Sequence, residues 1–373
     1  MPDESLDRDT GQVVSLVLSG GIALGMYEAG AYAALHEHAE LRPQRLAGSS
    51  IGSVTAALIA GNPPERRVER LREFWEAADP FPVLSSWSDQ FVTGAVRQAQ
   101  NNFSVVQTLL FGRPGLFRPR LALGVQLGAQ DVPALFDVGP MAERLSELVD
   151  FDLLNSGRTR LAIACTDVIS GDRVVFDTGR GHRIEPRHIL ASCALLPLFA
   201  PVTVDDRLLA DGGLGANAPL DLVLDDGDGR DALCFVVELF ARQGSRPHTL
   251  AASAGRAGDL AFGNQTRRIL EGLQRERDLR GLLGQLASRL PDGVRNDPAV
   301  AAIVAESRVN RTTVATIGYR AGLDEAGMLK PFDFSRATLT DRWSAGDSAM
   351  RRAILAVKEA LKDHTTAFRV IDA

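Results

Sequence analysis

Histidine is scarce in this chain of 373 residues, with six in all and none in a recognisable motif. His36 and His38 fall in an Ala-rich stretch, His182 and His188 flank a loop, and His248 and His364 lie in the last third. Each is expected at the surface. No His/Cys spacing of the metal-holding kind occurs, so neither a metal nor a cofactor is expected. Cysteine is scarcer still: Cys165, Cys193 and Cys234 are an odd set, each inside an apolar run. That argues against a disulfide framework and for buried thiols in a reducing, cytoplasmic setting. Basic residues do not prevail either. The formal charge of -6 excludes a global attraction to nucleic acid or to anionic lipid. The opening MPDESLDRDTGQ lacks the basic start and apolar stretch of a secretory signal, so no export is expected. No apolar run reaches the roughly 20 residues of a spanning helix, so any membrane contact is expected to be peripheral. Internal repeats and low-complexity linkers are missing too, and the pattern gives neither a sharp domain boundary nor an oligomeric state.

What is present is enough apolar residue, 45% of the chain, to bury a large core. Residues 13–18 form a short β-branched run that ends in Ser19-Gly20-Gly21, and helical character follows over 26–38. The layout recurs after Arg45, where Leu46-Ala47 leads into Gly48-Ser49-Ser50-Ile51-Gly52-Ser53 and an apolar helix to about Ala60, stopped by Gly61. Pro63 and Pro64 open an amphipathic helix carrying Val68, Leu71, Phe74 and Trp75. Residues 81–136 are less regular, rich in Phe and Leu, and read as an insertion or cap. Further strands are expected at 160–164, 173–176, 201–204, 232–239 and 312–317, and further helices at about 141–149, 185–193, 257–290 and 343–362. Strands alternating with helices mean a layered α/β sheet.

Gly48-Ser49-Ser50-Ile51-Gly52 has the G-x-S-x-G form, in which small residues flank a serine on a cramped strand-to-helix turn and leave its hydroxyl exposed. Ser50 is therefore the candidate nucleophile. Alone the pattern is weak; the strand before it and the helix after it make it informative. The helix N-terminus would also stabilise a developing alkoxide. Upstream, Ser19-Gly20-Gly21-Ile22-Ala23-Leu24-Gly25 forms a second such turn, whose N–H groups suit an oxyanion hole. A dinucleotide fingerprint is the rival, but Ile22 stands where G-x-G-x-x-G needs its second glycine and no ribose-binding acid follows at the expected distance. Downstream, Leu209-Ala210-Asp211-Gly212-Gly213-Leu214 sets a carboxylate between a short strand and two glycines, where a backbone can pass close to another loop. Taken alone, Asp-Gly-Gly is equally an ordinary turn.

Together and in that order, the glycine loop, the G-x-S-x-G turn and the D-G-G turn resemble the patatin-like phospholipases. The likeness continues through Ala164-Cys165-Thr166-Asp167 with Ser170-Gly171, through Ala191-Ser192 to Pro197, Phe199, Pro201 and Val202, and through Asn217 with Pro219, so it covers about residues 13–220. Beyond it, Phe240 to Arg246, Ser307 to Arg311, Lys330, Asp333-Phe334-Ser335 and Arg342-Trp343 resemble a C-terminal extension carried by some bacterial members. The resemblance implies a three-layer α/β/α fold. It implies a catalytic domain over 13–220 with the apolar cap at about 81–136, and an extension over 221–373 that completes and packs on the same domain. It also implies a Ser50/Asp211 dyad in place of a triad. Gly20, Gly21 and Ile22 would then surround the oxyanion, with Gly25, Gly48, Gly52, Gly212 and Gly213 supporting the motifs. Chain order alone would still let His248 or His364 complete a Ser, Asp, His triad. An ordinary aspartate, with a pKa of about 4, is a weak base at neutral pH, so partial desolvation has to raise its basicity.

Two positions depart from the family pattern. Ile22 stands where a third glycine is usual, and a β-branched residue is strained at positive φ. Leu24 stands where Lys or Arg is usual, which removes a basic contact for an anionic head group. In the cap, Trp87, Phe91, Phe103, Leu109, Leu110, Phe111, Leu116 and Phe117 would line an acyl-chain pocket, touch a bilayer, or form ordinary core. Arg242, Arg246, Arg256, Arg267, Arg268, Arg275, Arg277, Arg280 and Arg289 accompany Ile269, Leu273, Leu283, Leu286 and Leu290 at near-helical spacing. Such a helix rests on anionic lipid or docks on its own domain. Three functions compete: a lipid acyl hydrolase of phospholipase A or lysophospholipase type, an esterase or thioesterase for soluble acyl substrates, and a catalytically weak scaffold.

Overall fold

The computed structural model describes residues 12–76, 94–120, 134–224, 229–307, 309–320, 327–363 and 366–373. Nine strands form one mixed sheet. Its middle is β1 (Gln12–Leu18), covered on both faces and so apolar at nearly every position instead of alternating. β2 (Arg45–Ser49) runs parallel to it on one side and β9 (Asp231–Glu238) on the other. Beyond β9 lie β10 (Thr312–Gly318) and β11 (Phe368–Asp372), both parallel. Beyond β2 lies β5 (Arg160–Asp167), which also takes β6 (Arg173–Asp177) and β8 (Arg207–Asp211) antiparallel. β7 (Val202–Val204) folds back on β8, and β3 (Arg118–Pro119) with β4 (Phe136–Asp137) makes a separate ribbon.

The register on β5 brings two strand ends together. β2 and β6 overlap along β5 and therefore use opposite edges; β6 and β8 also overlap, so β8 shares the edge of β2. β2 stops with Ser49 opposite Ala164, and β8 arrives from the other direction with Asp211 opposite Cys165. The C-terminal ends of β2 and β8 thus meet head to head.

Alternate strand residues feed two cores. Leu16, Leu18, Leu46, Ile163, Phe235 and Val237 face α1 (Gly25–His36), α2 (Ile51–Ala60), α3 (Arg67–Glu76) and α12 (Arg336–Ala360). Val17, Ala47, Ala162, Cys234, Val236 and Val314 face α8 (Asp221–Leu224) and α9 (Leu250–Ala287). That is a three-layer α/β/α arrangement. α4 (Gly94–Phe111), α5 (Gly139–Leu148), α6 (Phe151–Leu154) and α7 (Pro186–Ser192) pack around the first core, and α10 (Asp292–Arg295) and α11 (Pro298–Glu306) follow α9. β9, β10, β11, α9 and α12 all lie beyond residue 220, yet they supply three sheet strands and much of both outer layers. α12 lies along α1 so closely that a Cβ on Gly30 or Gly346 would run into the carbonyl oxygens of Trp343 and Tyr27.

Two expectations change. The irregular reading of 81–136 is replaced in part by an 18-residue helix, α4. Its apolar pattern misleads because polar side chains share its buried face with Val105. Asn101, Ser104 and Thr108 are buried, while Phe103, Leu110 and Phe111 are exposed. The buried polar atoms are satisfied: Thr108 Oγ1 donates to the Ser104 carbonyl at 2.8 Å and accepts from Arg113 at 2.7 Å. Trp87 and Phe91 lie outside the described residues. The arginine-rich helix docks on the sheet through its middle. Ile269 and Leu273 pack on the sheet, whereas Leu283 and Leu286 are exposed. Among the described residues no helix is long and apolar enough to cross a membrane.

Candidate active site

Ser50 sits between the last residue of β2 and the first of α2, with φ 54° and ψ -128°. A side chain at that φ is sterically strained, at a cost of about 1–3 kcal/mol, so the surroundings must hold it there. They do so through both backbone groups. The Ser50 N–H donates to Ser192 Oγ at 3.0 Å, which in turn donates to the Ala164 carbonyl at 2.7 Å. The Ser50 carbonyl accepts from the Ser53 N–H at 2.9 Å and the Ser53 hydroxyl at 2.6 Å. Small neighbours are obligatory, since a Cβ on Gly48 would come within 2.6 Å of Gly52 backbone atoms. Ser50 remains 8% exposed.

Asp211 ends β8 in the position the register dictates, and it is buried. Oδ1 accepts the Gly213 N–H at 2.7 Å. Burial pushes the carboxyl up to about 6, against the Ser50 hydroxyl and the Gly213 N–H, which favour the ionised form. Oδ2 has no donor at full hydrogen-bond geometry. The desolvation anticipated for this aspartate is present, and it moves the base towards neutrality.

The glycine loop lies over Ser50. A Cβ on Gly20 would stand 2.9 Å from that of Ser50 and 2.6 Å from Asn217 Oδ1, so only glycine lets the loop come this close. The Gly20 N–H, expected as an oxyanion donor, is already committed to Asn217, at 3.2 Å to its carbonyl and 3.1 Å to Oδ1. The N–H groups of Gly21 and Ile22 have no partner among the described residues. Ile22 takes φ 51°, the strained left-handed region that its branched side chain resists. A Cβ on Gly25 would run into Ile51 and Trp75, one on Gly212 would come within 2.1 Å of the Ala164 carbonyl oxygen, and one on Gly213 within 2.8 Å of Asn217 Oδ1. The supporting glycines therefore mark places where two loops touch.

An apolar cavity opens beside the serine. Ile22, Ile51, Trp75, Phe117, Phe199 and Phe334 are among its walls together with Ser50, and it holds only about 20 Å³ of open space. That is hardly more than one water. Of the cap residues, Leu116 and Phe117 line this cavity, while Phe103, Leu110 and Phe111 lie at the surface. A far larger cavity, about 550 Å³, lies at the opposite end of the sheet among Arg45, Arg230, Arg277 and Arg280. It holds no candidate nucleophile.

Residues 16–224 match the model of the family described as patatin-like phospholipase. The chain belongs to that family. Residues 260–366 match a second model, described as patatin phospholipase, so a patatin-like phospholipase signature reaches nearly to the end of the chain. Membership of that family supports a lipid-hydrolysing enzyme. Among solved structures, VipD from Legionella pneumophila is 14% identical and aligns with 92% of this chain and 67% of its own at a TM-score of 0.41. Human GIVD cytosolic phospholipase A2 is also 14% identical, over 94% of this chain and 62% of its own, at 0.39. The type III effector protein ExoU is 16% identical, over 94% and 63%, at 0.29. The chain spans roughly two thirds of the length of the first and less than that of the other two. Among curated proteins none matches the sequence.

Three residues gain a place here that pattern did not assign. Gln265, on α9, accepts the Asn217 N–H at 2.7 Å and donates to the Gly213 carbonyl at 3.2 Å, bracing the loop that follows β8. Glu28, on α1 behind the glycine loop, is fully buried, and burial holds it well above the usual carboxylate range against the Ser19 N–H and the Thr55 hydroxyl. Neither has a sequence signal, because each acts through a neighbour remote in sequence. His188, expected at the surface, is instead buried: it caps α7, its ring accepts the Glu185 N–H at 2.9 Å, and it stacks on Phe176 at 4.4 Å. Among the described residues no histidine bonds to Ser50 or Asp211; His364 lies outside them.

Proposed function

We propose that the enzyme cleaves a carboxylic ester of a lipid, as a phospholipase A or lysophospholipase, with Ser50 as nucleophile and Asp211 as general base. The observation that carries this reading is the buried Asp211 carboxyl, raised to about 6 and acted on by the hydroxyl of a strained serine. A base near the working pH accepts a proton far better than an ordinary aspartate. Ser50 Oγ attacks the ester carbonyl carbon and its proton passes to Asp211 Oδ2. The oxyanion takes the N–H groups of Gly21 and Ile22, with the N-terminus of α2 adding its partial positive charge. Collapse expels the alcohol, which regains the proton from Asp211. Water, deprotonated by Asp211, then attacks the acyl-serine, and collapse releases the fatty acid as Ser50 Oγ takes that proton back from Asp211. Residues 13–220 carry this chemistry, and 221–373 complete the same core. Membrane contact, where it occurs, is peripheral.

Leu24 favours a second reading, an esterase or thioesterase for soluble acyl substrates. It is fully buried, where a basic side chain would serve an anionic head group. Labelling with a fluorophosphonate, and hydrolysis of phospholipid vesicles against short-chain esters and acyl thioesters, test both. Labelling at Ser50 with preference for vesicles is expected. Preference for soluble esters selects the second reading, and absence of labelling defeats both and leaves the scaffold.

A further inference from the structure

Phe334 belongs to the C-terminal extension, yet it stands in the wall of the cavity that holds Ser50. It is 2% exposed. Its ring meets Phe117 of the cap at 6.2 Å between centroids and Trp75 of α3 at 6.4 Å, and the Arg113 guanidinium lies 5.2 Å from its centroid. All three partners precede residue 120, so Phe334 closes the cavity from the other end of the chain.

The backbone that presents Phe334 is held more firmly than a loop requires. Arg342, itself buried, donates to the Asp333 carbonyl at 3.0 Å and the Lys330 carbonyl at 2.9 Å. Asp333 accepts the Ser335 N–H through Oδ1 and the Thr338 hydroxyl through Oδ2, both at 2.9 Å. Lys330 reaches Asp259 on α9 at 2.7 Å. Asn101 of the cap helix accepts from Ser335 and Thr338 at 3.1 and 3.2 Å. These charged and polar groups converge on one short segment and fix the position of one aromatic ring. A ring so held is suited to measure length, since selectivity among homologous chains depends on walls that do not yield.

We infer that Phe334 is the specificity-determining residue that limits the acyl chain accepted beside Ser50, and that the extension's role is to hold it there. The inference rests on the acyl-hydrolase reading. It is tested on the full chain with a series of lysophosphatidylcholines and p-nitrophenyl esters of increasing acyl length. Phe334→Ala should move the optimum towards longer chains and Phe334→Trp towards shorter ones. With each buried methylene contributing about fourfold, the long-to-short ratio of kcat/KM should change by roughly tenfold or more in opposite directions. Ser50 should still label with fluorophosphonate in both. If both variants label but keep the original profile, or lose activity evenly at all lengths, Phe334 is ordinary core and the inference fails. Should the alanine variant not fold, Phe334→Leu replaces it under the same criterion. If Ser50 of the unaltered protein does not label, the acyl-hydrolase reading has failed instead.

Discussion

The two ends of the sheet differ in almost every physical respect. At the N-terminal ends of the strands, a cavity of about 550 Å³ is lined by Arg45, Arg230, Arg277 and Arg280 with Glu276 and Glu306. Its charges are of both signs and its side chains find local partners: Arg277 bonds Thr312 at 3.0 Å, and Arg280 pairs with Glu276. At the C-terminal ends, the space is only about 20 Å³, but it is lined by a serine at positive φ, and the Asp211 carboxyl at the end of β8 is buried with Oδ2 lacking a hydrogen-bond donor. Room is generous at one end, and backbone strain and a desolvated acid are found at the other. Volume is therefore a poor guide to chemistry here, whereas strain and incomplete hydrogen bonding point to it.

Removing the proposed nucleophile and base should have the largest effect. Ser50→Ala and Asp211→Asn should each lower kcat by about 10⁴-fold or more while circular dichroism stays unchanged. Arg277→Ala and Arg280→Ala at the far end should leave kcat/KM within about twofold. An equal loss from either arginine would overturn the contrast.

The buried acid should also weaken the fold that contains it. Asp211 has a folded pKa of about 6 against an ordinary value near 4, so its neutral form is the one the fold favours. The stability it lends is complete below about pH 4 and is lost as pH rises through 6. At pH 8 the ionised carboxylate costs about 3 kcal/mol, a two-unit shift at ~1.36 kcal/mol per unit. Asp211→Asn, inactive, should therefore be more stable than the parent to urea at pH 8 by about that amount, with the gain vanishing near pH 4. Because catalysis needs the ionised form, kcat/KM should fall about tenfold per pH unit below 6, measured with a substrate that does not titrate. A flat profile down to pH 4.5 would remove Asp211 as base.

Smaller effects separate structural from reacting groups. His188→Ala should cost about 1–3 kcal/mol in thermal melts by leaving a buried helix cap unmade, with kcat retained. Ile22→Gly should leave kcat/KM within about threefold, since the donated N–H stays and the left-handed strain is relieved. A loss above tenfold would mean that the Ile22 side chain, not its backbone, serves the reaction.

Much of the fold was legible in pattern. The 13–18 and 312–317 runs appear as β1 and β10, because strands covered on both faces leave a continuous apolar signature. α4 was missed because three of its four buried residues, Asn101, Ser104 and Thr108, are polar, and β11 because Phe368–Asp372 is a half-exposed edge. At the site, Ser50 was marked by the small residues its turn demands, and the D-G-G turn by the close passage of its glycines. Gln265 and Glu28 left no mark, since a bracing hydrogen bond and a desolvated acid ask nothing of neighbouring sequence.

By itself the sequence determined the family, the layered α/β class and the turns on which chemistry is carried, because local sterics and periodicity are properties of neighbouring residues. The tertiary structure alone decided that Asp211 arrives opposite Cys165 just past the end of β2, that burial lifts its carboxyl to about 6, and that Phe334 from the extension closes the cavity of Ser50. Those are matters of register, desolvation and contact between remote segments, and none of them exists until the sheet has formed and water has been excluded from it.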